Sequence, residues 1–504
     1  MSSLQVAFRV DASQQIGTGH VMRCLTLAKG LAKQGANITF ISRHMPDYTQ
    51  ELVMSSGFSL NILNRGSQQL DELAHANWLG TSQQQDAEET ISALANSTWD
   101  WLIIDHYALD IRWEKALRNS VKKIMVIDDI ADRKHDCDVL LDQNYYLDMD
   151  TRYKDKVPNN CELLVGPKYA LLRDEFIEAR KTIKPRDGVV KRILVFFGGV
   201  DAQNYTGLAI DALSTLREYQ FDVDVVIGSS HPNKNQIIAN CLSNSYQSYV
   251  QTEKMAELMT SADLVIGAGG SATWEKCCLS LPSIVLATAD NQTKQLNDLA
   301  TSGYCYIVEH NNEMVNTLRL HIKALVENKK LRNFLAKNSA TLVDGVGTQR
   351  LVKLMVSSSF LELRRATIAD EKNIFEWRNH SNIRAVSVNK ELIAWQNHRV
   401  WFESMLRNAS VEMLIAELDK TPVGVVRFDV TNEIAEVSIY LIQQTESKGL
   451  GYKVLISAEQ WLLKMCLSLK EFNATVLEGN SASHHLFKKA GYQLATSYYK
   501  KVIH

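Results

Sequence analysis

The sequence has almost no net charge, no cysteine pair at metal-binding spacing and no apolar run long enough to cross a bilayer. With 55 basic against 57 acidic side chains the net charge is -2, too small for a long-range field that gathers polyanions, so nucleic acid is not expected as a partner. The eight cysteines (Cys24, Cys137, Cys161, Cys241, Cys277, Cys278, Cys305 and Cys466) include no CxxC pair. Neither a zinc knuckle nor a disulfide framework is indicated, and reduced, mostly buried thiols are predicted. No stretch approaches the roughly 18 apolar residues of a membrane span, and Met1-Ser2-Ser3-Leu4-Gln5 lacks the apolar core of a signal peptide. A soluble cytoplasmic protein without a membrane partner is expected.

At 504 residues the chain has room for about three domains. Gln5 to Asp11 reads as a buried strand, Gly17 and Gly19 permit a tight turn, and Val21, Leu25, Ala28 and Leu31 recur with helical spacing. His20 therefore falls in the first turn of a helix, where unpaired amides favour an anion and disfavour a second proton on imidazole. A neutral, basic His20 beside a bound phosphate is one reading, and Arg23, one turn on, would meet substrate oxygens. A glycine turn with a histidine cap is the other. Strand-like runs at Ile38 to Ser42, Trp101 to Asp105, Lys123 to Asp128 and Val139 to Gln143 alternate with helical patterns, which predicts a parallel sheet covered by helices. Ligands on such sheets lie beyond the carboxyl ends of the strands, where His20, Asp105-His106-Tyr107 and Asp128-Asp129 emerge. Two adjacent carboxylates diverge and lack companion ligands, so Asp128 and Asp129 read as loop caps and no metal is expected.

A polar stretch from Arg180 to Lys191 resembles a hinge, after which Arg192 to Gly199 restarts the pattern of strand then glycine turn. Strands at Asp222 to Gly228, Asp263 to Gly267 and Ser283 to Ala287 follow. Gly198, Gly199, Gly269, Gly270 and Ser271 would bring backbone amides to a phosphate, Glu275 would accept from ribose hydroxyls, and Asn291 and Gln292 add polar groups at the same edge. Close helix-to-sheet packing is the other reading of the small residues. The last residues, about 145 after Ser357-Ser358-Ser359, suit one more domain. Its strands, Met413 to Leu418, Val423 to Asp429 and Ala435 to Leu441, precede a third glycine turn, Lys448-Gly449-Leu450-Gly451, and a helix.

Residues 1 to about 357 resemble the PseG family of UDP-sugar hydrolases. The stretches carrying this are Arg9-Val10-Asp11-Ala12-Ser13, Gly17 to Ala28, Asp105-His106-Tyr107, Leu141 to Tyr145 and Tyr169 to Phe176. The resemblance implies two Rossmann-like lobes of GT-B type, similar to MurG, at 1–185 and 186–357, with UDP held mainly by the second. It implies metal-independent, inverting hydrolysis of UDP-2,4-diacetamido-2,4,6-trideoxy-β-L-altropyranose, with His20 and Tyr107 as catalytic residues. Residues 360–504 resemble PseH-like GNAT N-acetyltransferases, which acetylate a UDP-4-amino sugar with acetyl-CoA. Lys448, Gly449, Leu450 and Gly451, and Asn480 and Ser483 of the segment Asn480 to Tyr492, match the family's CoA-binding turn and helix. Glu446 stands where the family carries a basic or amide residue. Phe487 stands where many relatives carry the tyrosine that protonates the thiolate, so Tyr440 or Tyr492 serves instead, or a water does, or the domain binds without catalysing. Glu436, a possible base, reads as an exposed strand carboxylate, and His484 and His485 diverge on their helix. The overall class is α/β. A GT-B glycosyltransferase with a non-catalytic CoA-binding or interaction domain is the alternative.

Overall fold

The computed structural model describes residues 3–13, 15–66, 71–95, 97–186, 188–289, 292–357, 361–387, 389–418, 421–442, 449–466 and 468–494. The chain divides into two compact units, Met1–Ser357 and Ser358–His504.

The first unit holds two sheets built on one plan. The strands β1 (Gln5–Val10), β2 (Asn37–Ser42), β3 (Ser59–Ile62), β4 (Trp99–Asp105), β5 (Val121–Ile127), β6 (Val139–Asp142) and β7 (Glu162–Val165) form a sheet in the order β3-β2-β1-β4-β5-β6-β7. Every pairing in it is parallel. The second sheet comprises β8 (Arg192–Phe196), β9 (Asp222–Ile227), β10 (Gln247–Val250), β11 (Leu264–Ala268), β12 (Ser283–Leu286) and β13 (Tyr306–Ile307). Its order, β10-β9-β8-β11-β12-β13, repeats the first. The central strands are apolar along their length because helices cover both faces: Trp101, Leu102, Ile103 and Ile104 of β4 are all buried. In each sheet the strand order reverses beside the first strand, between β1 and β4 and between β8 and β11, which opens a crevice at the carboxyl ends.

The lobes exchange their final helices. Phe176, in the helix Asp174–Thr182, is fully buried against Trp274, Cys277 and Cys278 of the second lobe. The helix Gly347–Ser357 returns to the first lobe, where Thr348 Oγ1 donates to the Leu172 carbonyl at 3.0 Å. A Cβ on Gly30 of the first lobe would come within 2.9 Å of Val352. The two crossings tie the lobes into one unit.

In the second unit β14 (Leu361–Arg365), β15 (Val411–Leu418), β16 (Thr421–Thr431), β17 (Ile434–Leu441) and β18 (Glu471–Asn473) lie in sequence order, antiparallel except for the parallel β17–β18 pair. Side chains of a strand alternate between faces. Ala435 and Val437 pack with Leu450, Val454 and Leu455 of the helix Leu450–Met465, whereas Tyr440 packs on the other cluster, with Ile374, Phe402 and Met405. Among the described residues no helix is long and apolar enough to cross a membrane.

Close backbone approach sets the second lobe's turn. A Cβ at Gly228 would lie 1.9 Å from the Gly199 carbonyl oxygen, backbone that must then move. Gly228→Ala is expected to cost about 1–3 kcal/mol, read as a lower urea midpoint at unchanged m-value; an unchanged midpoint would show that the turn has room to yield.

Candidate active site

His20 lies in the first turn of the helix Gly19–Ala32, whose N-cap Thr18 makes no side-chain capping bond. Gly17, at φ +74°, turns the chain into that helix. The imidazole Nδ1 is 2.5 Å from Asp105 Oδ1, at the carboxyl end of β4. Arg23 donates to the same carboxylate from Nε (2.6 Å) and Nη2 (2.7 Å), and from Nη1 to Asp129 Oδ2 (2.9 Å). Burial alone would raise the Asp105 pKa, but Arg23 and then His20 outweigh it and hold the carboxyl well below its ordinary range. An ionised Asp105 accepts only, so Nδ1 carries the proton and the lone pair sits on Nε2. Nε2 makes no hydrogen bond to a described residue, and His20 lines the crevice between the lobes. This is the arrangement of a general base held by a carboxylate.

Arg23, expected to meet substrate oxygens, lines the crevice. Arg23 is only 8% exposed and spends all three of its nitrogens on Asp105 and Asp129. It balances buried charge and sets the carboxylate that sets the imidazole. Tyr107 stands where expected, its ring edge-on to His20 at 4.8 Å between centroids, but its hydroxyl donates to Asp129 Oδ1. Burial and that neighbouring carboxylate push the phenol's pKa well up, so it holds its proton. Trp78 stacks on the Tyr107 ring at 5.5 Å.

Of the two adjacent aspartates, Asp128 is a loop cap, accepting from the Ala131 amide at 3.0 Å and pairing with Arg133 at 2.9 Å. Asp129, in contrast, lines the crevice. Nearby, burial first and then Asp129 push the Asp142 carboxyl up to about 8.

The crevice, about 290 Å³, is closed on its far side by the second lobe. Phe197 and Gly198 follow β8, and Gly269, Gly270 and Ser271 follow β11; Gly198 (φ +93°) and Gly270 (φ +83°) hold conformations that only glycine adopts without strain. The structure thus brings Gly19, His20, Arg23, Tyr107, Gly198, Gly269, Gly270, Ser271 and Gln292 to one crevice, while Gly17 and Gly199 are outside its lining residues. Gln292 Oε1 accepts from the Thr288 amide and hydroxyl at 3.0 and 3.2 Å. Glu275 is outside the lining residues and takes Arg173 Nη2 at 3.3 Å. Asn291 and Lys448 lie outside the described residues. The sequence pattern put Asp105 and Asp129 at this edge without showing their roles, and did not mark Gln143 and Gln295, both buried in the lining; Gln295 Nε2 has no partner.

In the second unit Gly449, at φ +91°, precedes the helix Leu450–Met465 and makes no side-chain capping bond to it. The Leu450 side chain is buried in the core, so only its amide is offered, and Gly451 sits against Leu441 and Leu486. β17 and β18 pair only from Ile434–Glu471 to Glu436–Asn473. Asn480 caps its own helix, Oδ1 accepting from the Ser483 amide at 3.1 Å. Phe487 packs on the Leu450 side of the sheet and Tyr440 on the opposite side. Tyr492 touches Phe487 but donates to Glu459 at 2.7 Å. Glu436 is exposed, as expected.

The fold and the site define a two-lobed α/β unit of GT-B type followed by a GNAT unit. Residues 192–349 match the glycosyltransferase family 28 C-terminal domain and residues 361–493 the acetyltransferase (GNAT) domain, and the chain joins the two. It is 23% identical to the uncharacterized protein MJ1062 of Methanocaldococcus jannaschii over 97% of each chain. It is 28% identical to the UDP-2,4-diacetamido-2,4,6-trideoxy-beta-L-altropyranose hydrolase of Campylobacter jejuni over 60% of this chain and 98% of that one. Among solved structures, UGT2 of Phytolacca americana, complexed with UDP-2fluoro-glucose and pterostilbene, superposes with a TM-score of 0.51 at 12% identity, covering 71% of this chain and 99% of that one. That likeness is one of fold.

Asp142→Asn is expected to stabilise the protein increasingly with pH. The folded carboxyl, held up to about 8 against an ordinary value of about 3.9, resists ionisation, so its contribution is full at low pH and is lost as pH rises between those values. Melting curves should coincide near pH 4 and separate by pH 8 with the variant higher; equal separation at both ends would contradict the shift.

Proposed function

We propose that the first unit hydrolyses a UDP-linked amino sugar, UDP-2,4-diacetamido-2,4,6-trideoxy-β-L-altropyranose, to the free sugar and UDP. The observation that carries this reading is the His20–Asp105 pair, with Nε2 open to a crevice whose other wall is a glycine turn. In the proposed step Nε2 removes a proton from water as its oxygen bonds to the anomeric carbon, and the bond from that carbon to the UDP oxygen breaks. The oxygen enters opposite the leaving group, which inverts the centre. Asp105 then faces an imidazolium, and UDP departs as an anion toward the amides of Gly198–Gly199 and Gly269–Gly270. Those amides meet the developing charge, and the reading assigns no metal. Tyr107 and Arg23 are positioning residues, through Asp129 and Asp105 respectively. Gln292, Asn291 and Ser271 are assigned to substrate, and Glu275, one turn from the glycines, to the ribose. The 28% likeness to the Campylobacter jejuni hydrolase supports the choice of sugar.

The second unit, in the same proposal, acetylates the 4-amino precursor of that sugar nucleotide. The uncapped amides after Gly449 suit the pyrophosphate of acetyl-CoA, which supplies the acetyl group. Asn480 keeps an amide nitrogen for the same co-substrate, beside Ser483. Consecutive steps in one chain fix a one-to-one ratio of the two activities.

His20→Ala is expected to lower UDP release by roughly 10²–10⁴-fold while UDP itself binds as to the wild type; unchanged release would remove His20 from the chemistry. Incubating the UDP-sugar with the protein alone separates hydrolysis from sugar transfer. Free reducing sugar and UDP in equal amounts are expected, whereas turnover only on addition of an acceptor would identify a transferase.

A further inference from the structure

Behind the glycine turn of the second lobe lies a cation that the proposed step does not use. Lys276, on the helix Ala272–Cys278, is only 2% exposed, and its Nζ donates at 2.8 Å to the carbonyl of Ala268, the last residue of β11. Ala268 and the turn that follows it, Gly269, Gly270 and Ser271, all line the crevice. The ammonium therefore meets the crevice wall from inside the lobe.

Its surroundings do not match its charge. Arg9 and Arg23 each pair with two aspartates, and Arg332 donates to three carbonyls. Lys276 pairs with no carboxylate among the described residues. The adjacent Glu275 takes Arg173, and the other groups that act on the ammonium, Cys277 and Cys305, are thiols that burial pushes up to about 12 and about 11. Burial without a counter-ion disfavours the charged form and brings the Lys276 pKa down from its ordinary 10.5 to about 8. What completes a buried ammonium is negative charge on the far side of the turn, and a diphosphate in the crevice supplies it. Binding of that anion raises the affinity for the proton, and by reciprocity the proton raises the affinity for the anion.

We propose that Lys276 is a positioning residue for the diphosphate, a buried counter-charge that acts through the Ala268 carbonyl and the turn beyond it, and that Nζ takes a proton from solvent when the nucleotide binds. This rests on the reading of the crevice as a UDP site and adds a proton-linked control of nucleotide affinity. UDP is held tightest below about pH 8 and is released more readily above it, as the amine becomes neutral.

The test is calorimetry of UDP binding to the full chain near pH 8 in two buffers of different ionisation enthalpy, which counts the protons exchanged. Uptake of about half a proton is expected with UDP and none with uridine, which lacks the phosphates. Between pH 7 and pH 9 the wild-type Kd for UDP should rise about tenfold. Lys276→Met should bind at the weak, alkaline level throughout and take up no proton, and Lys276→Gln, which keeps a donor without the charge, should do the same. Asp142 also titrates at about 8 and adjoins the crevice residue Gln143, so Asp142→Asn is the control and should keep the uptake. The proton count of the wild type needs no variant, so a poorly folding replacement does not hide the answer. UDP binding without uptake, uptake that survives both Lys276 variants, or uptake lost only in Asp142→Asn would each overturn the role of Lys276 and leave the UDP site standing. No UDP binding at any pH would refute the UDP reading and the inference with it.

Discussion

The Asp105 carboxylate is buried at the end of a central strand, with His20 and Arg23 both on it at 2.5 to 2.7 Å. The rest of the first unit's site follows from that one ion. Its charge is tolerable in the interior only because Arg23 spreads a guanidinium across both oxygens. With the carboxylate ionised, the His20 tautomer is fixed and one nitrogen is left facing the crevice. The neighbouring residues hold the arrangement in place. His106 accepts the Ala108 amide on Nδ1 at 3.1 Å, so its Nε2–H lies toward Asp11 at 3.2 Å, and Tyr107 reaches Asp129. Three consecutive side chains leaving β4 thus engage three different parts of the lobe. Below them Arg9, Asp11, Arg43 and Asp86 form a fully buried charge network, with Arg9 Nη2 at 2.7 Å from Asp86, which fixes the ends of β1 and β2 relative to the helix beginning at Gln83.

Much of this was legible before any coordinates. Continuous apolar runs announced the central strands because such strands are buried on both faces, and the repeated succession of strand, glycine turn and helix gave both lobes and the location of His20. The edge strands β3, β7 and β10 escaped because they are half exposed and carry no apolar run. β13 and β18, of two and three residues, are too short to show a period. Composition marks a linker but not the helix that crosses back, because the packing of Val352 on Gly30 is a contact between distant parts of the chain.

The site was legible in its residues more than in their roles. His20 is marked by its local turn, whereas the partner that makes it a base is 85 residues away, and no local pattern relates the two. For the same reason the partners of Arg23, Asp105 and Asp129, could not be read from its place one turn beyond the glycine turn. In the second unit the glycine turn was visible in sequence, but the side of the sheet on which Tyr440 falls depends on the register of β17, which no single residue reveals.

The proposed hydrolysis depends on His20 presenting an unprotonated Nε2 to the crevice while Nδ1–H points at Asp105. Nitrogen-15 spectra of the protein labelled at histidine, with His20 assigned by its loss in His20→Ala, measure this directly. The neutral His20 ring should be protonated at Nδ1, with its Nε2 signal moving when UDP is added. A neutral ring protonated at Nε2, or one indifferent to both UDP and the replacement of Asp105 by Asn, would contradict it.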